Sequence, residues 1–265
     1  MVVFRDVWRY LTTGSNWTED RGILELMGQQ LLLTVSALLL AMVIGLPLAL
    51  WLGHLGRGGF LAINISNVGR AVPTFALLAL FVKMDPWQWE LFGVSPHFPG
   101  TATVPLYGRA GIATLVALTL FALPPLITNA YVAVREVSAE VKEAADGMGM
   151  TGRQKFFRVE LPLALPLVMS GVRLALVQVW ATATIAALVA GPGLGRIITD
   201  GFVRTNYGQG IAGAVVVAAV ALLLELVAAV VQRLVDPLPR GSSSQRLDPM
   251  SVVSPSVDGA PAPLG

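Results

Sequence analysis

Residues 138–162, SAEVKEAADGMGMTGRQKFFRVELP, form the longest strongly charged stretch between two long apolar segments of the chain. Ser138 is a suitable N-cap residue, and Glu140 follows in the first turn, where a negative charge suits the helix dipole. Gly147 and Gly149 are predicted to end this helix, because glycine is a poor helix former and a common C-terminal stop. Helical spacing places four apolar residues on one face: Val141, Ala144, Ala145 and Met148.

A second short helix is predicted directly after the glycines. Thr151 and Gln154 have the spacing of a capping box, and Phe156 and Phe157 supply an apolar side. Pro162 lies at the start of the next apolar segment. The first helix has a narrow stripe of small apolar residues, which suits a shallow groove on a partner. The same pattern also fits a solvated loop helix between two core helices, since amphipathic loop helices are common.

The composition indicates a polytopic helical membrane protein. The 265 residues are 55% hydrophobic and 13% charged, whereas about 25% of the residues in a typical soluble domain are charged. The net charge of +2 is small and the basic residues are dispersed, which argues against a nucleic-acid partner. The chain has no cysteine, so disulfides and cysteine metal sites are excluded. His54 and His97 are far apart in sequence and are interpreted as isolated loop or interface residues.

Several apolar segments are long enough to cross a bilayer of about 30 Å. The aromatic and basic residues in residues 1–28 predict an interfacial segment at the membrane surface. Residues 191–208 are predicted to be a loop, and residues 236–265, rich in Pro, Ser and Gly, a disordered cytosolic tail. The expected fold is an all-α polytopic membrane protein. Its spans lie at about residues 29–52, 60–83, 109–134, 163–190 and 209–235.

The charged stretch resembles the EAA signature of ABC importer permeases, which has the pattern EAA-x3-G-x9-I-x-LP. The match begins at Glu143 and ends at Pro162, and its one departure is Val159 in place of isoleucine. The resemblance implies a type I ABC importer permease fold with about five core transmembrane helices and a cytosolic coupling helix within residues 138–162. That helix docks into a groove of a separate ATPase subunit. The implied coupling residues are Val141, Glu143, Ala144, Ala145, Met148, Gly149, Val159 and Pro162.

Three further stretches resemble the osmoprotectant branch of this family, the permeases for glycine betaine, carnitine and choline. They are residues 67–74, residues 121–126, and residues 178–189 with the following Gly193-Leu194-Gly195. The resemblance implies alternating access, in which an extracytoplasmic solute-binding protein delivers solute to a pair of permease subunits. A heterodimer of two different permeases is expected in preference to a homodimer.

The resemblance also implies that ATP and Mg bind to the partner ATPase and not to this chain. No GxxxxGK[ST] phosphate loop occurs in the sequence, so the chain is expected to be a transporter subunit without enzyme activity or a directly bound cofactor or metal. A permease for another small solute, such as an amino acid, remains an alternative, because related permeases share much of this pattern. An ion-coupled secondary transporter is a second alternative, although Glu225 is the only acid deep in a predicted span.

Polar residues inside the predicted spans either line a translocation pathway or are buried against neighbouring helices. Arg173 and Glu225 both lie roughly 16 Å from the cytosolic ends of their spans, at about 1.5 Å per residue. Arg70 lies at a similar depth. Since an unpaired charge at this depth is costly, we expect Glu225 to pair with Arg173 or Arg70. The candidate pathway residues are Asn67, Arg70, Pro73, Thr74, Asn129, Arg173, Gln178, Thr182 and Glu225.

Five spans would place the two termini on opposite sides of the membrane. With the EAA loop in the cytosol, the N-terminus is expected outside and the C-terminus inside a bacterial inner or plasma membrane. The basic residues agree, with nine on the predicted inner side and seven on the outer side. This difference is small, so the motif orients the chain more firmly than its charges do.

Overall fold

The computed structural model describes residues 2–56, 109–189 and 191–235, and four helical positions between the first two ranges. All regular elements in this part of the chain are helical. Apart from those four positions, the predicted second span at residues 60–83 lies outside the described residues, as does the tail at 236–265. The four positions are Asn64, Ala76, Ala79 and Leu80.

The N-terminal segment forms helices α1 (Val2–Thr12) and α2 (Ser15–Thr18), followed by the long helix α3 (Ile23–His54). Helix α3 therefore begins before residue 29, the predicted start of the first span. Helix α1 packs against the last long helix of the chain, and the Trp17 indole N–H donates a 2.7 Å hydrogen bond to the Leu11 carbonyl. The segment thus packs on this chain along one side, in addition to any contact with the membrane surface.

The central part of the chain forms helix α4 (Arg109–Arg135), helix α5 (Ala139–Gly147) and helix α6 (Gly152–Lys155). A π-helical turn at Phe156–Glu160 then joins α6 to the long helix α7 (Leu161–Ile185) without a break. Because a proline has no N–H, Pro162 is best tolerated at the start of a helix, and it lies at the second position of α7.

The last part of the chain contains a helix within the predicted loop at 191–208. A 3-10 turn at Ala186–Val189 ends the fourth span, and helix α8 (Gly195–Val203) precedes helix α9 (Tyr207–Val235). Helix α8 is short, and it buries Ile197 against α9. A nine-residue helix of this kind depends on tertiary packing for its stability, so the loop prediction was wrong at these residues.

Helices α3, α4, α7 and α9 are long and apolar enough to cross a membrane, and they coincide with four of the predicted spans. Helix α4 packs against both α3 and α7. Alanines fill much of this core, and small residues allow helices in a membrane to approach closely. At the closest point, a Cβ atom added to Gly171 of α7 would lie 2.5 Å from Asn129 Cβ of α4.

Candidate coupling site

The predicted coupling helix is α5, and its ends follow from local sequence. Ser138 occupies the N-cap position, but its side chain makes no capping hydrogen bond, so the predicted side-chain cap does not form. The helix ends at Gly147. Gly149 then adopts φ +73°, a left-handed conformation that favours glycine, and its N–H donates to the Asp146 carbonyl at 2.9 Å.

The turn after α5 leads directly into the fourth span. The predicted capping box is present, with Gln154 N–H donating to Thr151 Oγ1 at 3.4 Å and Thr151 N–H donating to Gln154 Oε1 at 2.9 Å. The chain then stays helical from Gly152 to Val189. The second half of the signature is therefore the start of the spanning helix itself.

The apolar stripe on α5 is split between the surface and the interior. Val141 and Met148 are exposed, Met148 by 70%, and Ala144 is exposed beside them. Ala145 is only 1% exposed. The expectation that Ala145 presents its side chain to a partner is therefore wrong in this structure, because α5 turns that side towards its own chain and packs on the π-helical turn. The exposed stripe, as we use the term below, consists of Val141, Ala144 and Met148.

The other predicted coupling residues surround this stripe. Glu143 and Gly149 are exposed, and Val159 and Pro162 are half-buried. Asp146 and Lys155 form an ion pair across the turn, with Lys155 Nζ 2.7 Å from Asp146 Oδ1. Since the Asp146 side chain is largely exposed, this pair is screened by water and salt.

A buried histidine–glutamate hydrogen bond that the sequence did not predict lies close to the coupling helix. Glu160 is 2% exposed, and its Oε2 lies 2.5 Å from His54 Nδ1 at the end of α3. The His54 ring packs edge-on against Phe156, with ring centroids 5.2 Å apart. These partners are separated by 106 residues, so no local pattern reveals the pair. The available signal is an acid and a histidine, each at the cytosolic end of an apolar segment.

Lys142 connects the coupling helix to the end of α4. Its ammonium donates a 3.0 Å hydrogen bond to the Val134 carbonyl at the end of α4. Burial lowers the pKa of Lys142, whereas the Glu160 carboxylate acts in the opposite direction. Helix α5 is thereby held close to the end of α4.

Arg173 and Glu225 form an ion pair between α7 and α9, which confirms the predicted pairing. Arg173 Nε donates to Glu225 Oε1 at 2.7 Å, and the Arg173 Nη2 group contacts the same oxygen. Gln232, which sequence reasoning missed, accepts from Arg173 Nη1 at 3.5 Å and donates to the Pro166 carbonyl at 3.3 Å. About a third of each charged side chain is exposed on this chain.

The remaining candidate pathway residues are not brought together in the described part of the chain. Asn129 donates at 2.7 Å to the Pro125 carbonyl of its own helix. Gln178 is half-buried and Thr182 is buried. The other four candidates lie outside the described residues: Asn67, Arg70, Pro73 and Thr74.

A neutral hydrogen-bond network joins the helices at the end of the bundle opposite to α5. The fully buried Gln30 of α3 donates to the Trp180 carbonyl at 3.2 Å and to Thr184 Oγ1 at 2.9 Å. Its Oε1 accepts from Leu194 N–H at 2.9 Å, and the Trp180 indole donates to the Val217 carbonyl of α9 at 3.1 Å. We call these groups the outer network. The sequence did not indicate a role for Gln30, because it lies near the predicted edge of a span.

Apolar helices long enough to span a membrane, interrupted by an amphipathic helix with an exposed apolar stripe, define a polytopic helical membrane protein. The family described as the binding-protein-dependent transport system inner membrane component matches residues 31–241, and the chain belongs to this family. It is therefore a permease subunit of an ABC transporter and a multi-pass inner membrane protein.

Similar proteins come from several bacteria. The chain is 29% identical over 210 residues to the glycine betaine/carnitine/choline transport system permease protein OpuCB of Bacillus subtilis, covering 79% of this chain and 87% of the relative. It is 31% identical over 231 residues to the carnitine transport permease protein OpuCD of Listeria monocytogenes, covering 86% and 91%.

The fold also matches a solved transporter. An inward-facing structure of the MetNI methionine ABC transporter aligns with a TM-score of 0.63 at 23% identity, covering 80% of this chain and 95% of that chain. The match shows that this chain has the type I ABC importer permease fold.

Proposed function

We propose that this chain forms the translocation pathway of an ATP-driven importer for a compatible solute such as glycine betaine, choline or carnitine. The observation that carries the proposal is the similarity to osmoprotectant permeases along most of the chain. The osmoprotectant-like stretches found in the sequence support the same solute class.

The proposed partners on the cytosolic side are nucleotide-binding subunits that bind ATP and Mg and receive α5 in a groove. The exposed stripe supports this contact, because apolar groups open to water are stabilised by burial against a partner. The continuous helix from Gly152 to Val189 supports the transmission of motion. A displacement of α5 passes through the glycine turn into the helix that begins at Gly152, and helical backbone then carries it along the fourth span.

The proposed orientation has the N-terminus outside and the C-terminus in the cytoplasm. Helix α1 packs at the start of α9, since a Cβ atom added to Gly208 would lie 2.7 Å from Asp6 Cβ. The end of α9 lies near the start of α7, where Gln232 bonds to Pro166. The N-terminal segment and α5 are therefore at opposite ends of the bundle, which supports this orientation.

Solute recognition is proposed to reside in an extracytoplasmic binding protein that docks on the outer face of a permease heterodimer. A quaternary ammonium group is bound by open aromatic faces. Trp180 is 1% exposed and its indole N–H is bonded to Val217. Its ring is therefore used in packing and is unavailable to a cage for the cation.

The proposal is tested by uptake into liposomes that contain the full complex of both permeases, the ATPase and the binding protein. Labelled glycine betaine, choline and carnitine are supplied with and without internal ATP. We expect uptake of at least one of them, dependent on ATP and on the binding protein. Uptake by this chain alone without ATP would contradict an ABC mechanism, and uptake restricted to an amino acid would contradict the solute class.

A further inference from the structure

We propose that Glu160 is a positioning residue that makes the inner ends of the spans follow the coupling helix. The inference rests on the proposed coupling to an ATPase and deepens it, by assigning the transmission to one buried carboxylate. Glu160 does not touch solute or ATP in this proposal. It acts through its hydrogen bond to His54 on α3 and through the packing of α5 on the π-helical turn that contains it.

Two hydrogen bonds lie at the inner ends of three spans, next to the coupling helix. Glu160 belongs to the turn that begins the fourth span, and its Oε2 lies 2.5 Å from His54 Nδ1 at the end of the first span. Lys142 of α5 bonds to the Val134 carbonyl at the end of α4, and α5 packs on the turn that contains Glu160. The coupling helix thus contacts both the end of α4 and the turn that is hydrogen-bonded to α3.

The π-helical turn accounts for the inward direction of Glu160. The Leu161 N–H bonds to the Phe156 carbonyl five residues earlier, which inserts an extra residue into the turn. Phe157 and Arg158 are exposed in this turn, whereas Glu160 is buried. Turns of this kind often occur at functional sites because they re-aim a side chain.

Burial makes this contact stiff. A carboxylate with 2% exposure loses far more when separated from its partner than an exposed one does, because water does not replace the lost hydrogen bond. Moving the start of α7 away from the end of α3 would leave Glu160 buried without its hydrogen-bond partner. The inner ends of these two helices therefore move together when α5 is pushed. The exposed pair Asp146–Lys155 in the same loop lacks this property.

The experiment compares Glu160→Gln, His54→Phe and Asp146→Asn in the reconstituted full complex, with glycine betaine, choline and carnitine as solutes. His54→Phe keeps a ring against Phe156 but removes the hydrogen bond. Asp146→Asn is the matched control, since it removes an acid–base pair from the same loop. The measured quantities are solute transported per ATP hydrolysed and the KM for the solute-loaded binding protein.

We expect Glu160→Gln and His54→Phe to lower the solute transported per ATP about tenfold, the equivalent of one hydrogen bond to a charged group. ATP hydrolysis continues and KM changes little, because neither the ATPase nor the outer face is altered. Asp146→Asn keeps the wild-type ratio. A proportional loss of uptake and hydrolysis would instead indicate a merely structural role and would overturn the proposal.

The outcomes separate the inference from the function on which it rests. If the wild-type complex shows no ATP-driven uptake, the proposed function fails. If the wild type transports and both variants match Asp146→Asn, only the inference is overturned. If Glu160→Gln does not assemble, His54→Phe decides, and if neither assembles, the pair is structural and the inference is rejected.

Discussion

In the proposed orientation, the outer end of this helical bundle is joined by neutral hydrogen bonds, whereas the inner end is joined by ionisable groups. At the outer end, the Gln30 amide nitrogen donates to two groups of α7, and its oxygen accepts from the loop before α8. At the inner end, the His54–Glu160 hydrogen bond joins α3 to the turn before α7, and Lys142 joins α5 to α4. The polar groups of the outer network are paired within this chain. The His54–Glu160 pair, by contrast, lies close to α5 and its exposed stripe.

In the proposed mechanism, this difference separates the end that remains a unit from the end that a partner moves. The Gln30 amide is fully buried and fully paired, so it has no group left for an external contact. The inner end combines buried charges with exposed apolar side chains, which suits a surface completed by another subunit. Four substitutions test the comparison, in order of decreasing expected effect.

The largest effect is expected for Gly195→Ala at the outer end. A Cβ atom at this position would lie 2.0 Å from the Thr184 carbonyl oxygen, a backbone atom that cannot rotate away. Overpacking of this kind lowers the free energy of unfolding by about 3 kcal/mol. The measurement is the thermal unfolding of the purified protein in detergent. Gly28→Ala is the control, because nothing lies within 4 Å of its added Cβ, and an unchanged Gly195→Ala variant would contradict the outer packing.

A slightly smaller loss is expected for Ala145→Glu at the inner end. Ala145 is buried, so the new carboxylate lowers the stability by about 2 to 3 kcal/mol through desolvation. Ala144→Glu is the matched neighbour, since Ala144 is exposed. It leaves the melting temperature unchanged and reduces ATP-driven uptake by disturbing the docking surface. Equal stability of the two variants would mean that α5 does not pack as described.

Gln30→Leu tests the outer network itself. The substitution removes two donated hydrogen bonds and leaves the buried Leu194 N–H without its acceptor. We expect the free energy of unfolding to fall by about 2 kcal/mol. Gln29→Leu provides the control, because the Gln29 amide donates its hydrogen bond to the exposed Glu25 side chain. Comparable losses from both substitutions would show that burial of the amide does not matter.

The smallest of the four effects is expected for Gly149→Ala. The residue has φ +73° but nothing lies within 4 Å of an added Cβ atom, so the cost is backbone strain alone. That strain is about 1 kcal/mol. The unfolding temperature of the variant, compared with that of Gly14→Ala at another open position, measures it. A loss of stability as large as that of Gly195→Ala would mean that the glycine turn after α5 limits the stability of the fold as much as the outer packing does.

Much of the candidate site could be predicted because its elements form locally. The capping box at Thr151 and the glycine turn at Gly149 depend on residues within a few positions of each other. The coupling helix follows from its own 3.6-residue period, although its N-cap side chain stays unbonded. The pairing of Glu225 was predictable because a charge deep in a membrane span requires a partner, and depth narrowed the choice of that partner to two arginines.

Other parts of the site depended on how the helices pack. Which side of α5 is buried was invisible in the sequence, because Ala144 and Ala145 are identical in type and adjacent on the helix. Glu160 and His54 are 106 residues apart, and Gln30 and Leu194 are 164 apart. Contacts at such separations are fixed by the arrangement of whole helices, on which local preference has no influence.

The sequence by itself determined that this chain is a helical membrane protein, where its coupling helix lies, and that its intramembrane charges must be paired. These conclusions follow from the length of the apolar segments, the period of the apolar residues and the cost of desolvating a charge, all of which can be judged from the local sequence. The tertiary structure decided which partner Glu225 takes, which face of the coupling helix stays open, and which buried groups join the spans at each end. These features arise only when helices distant in sequence come within hydrogen-bond distance.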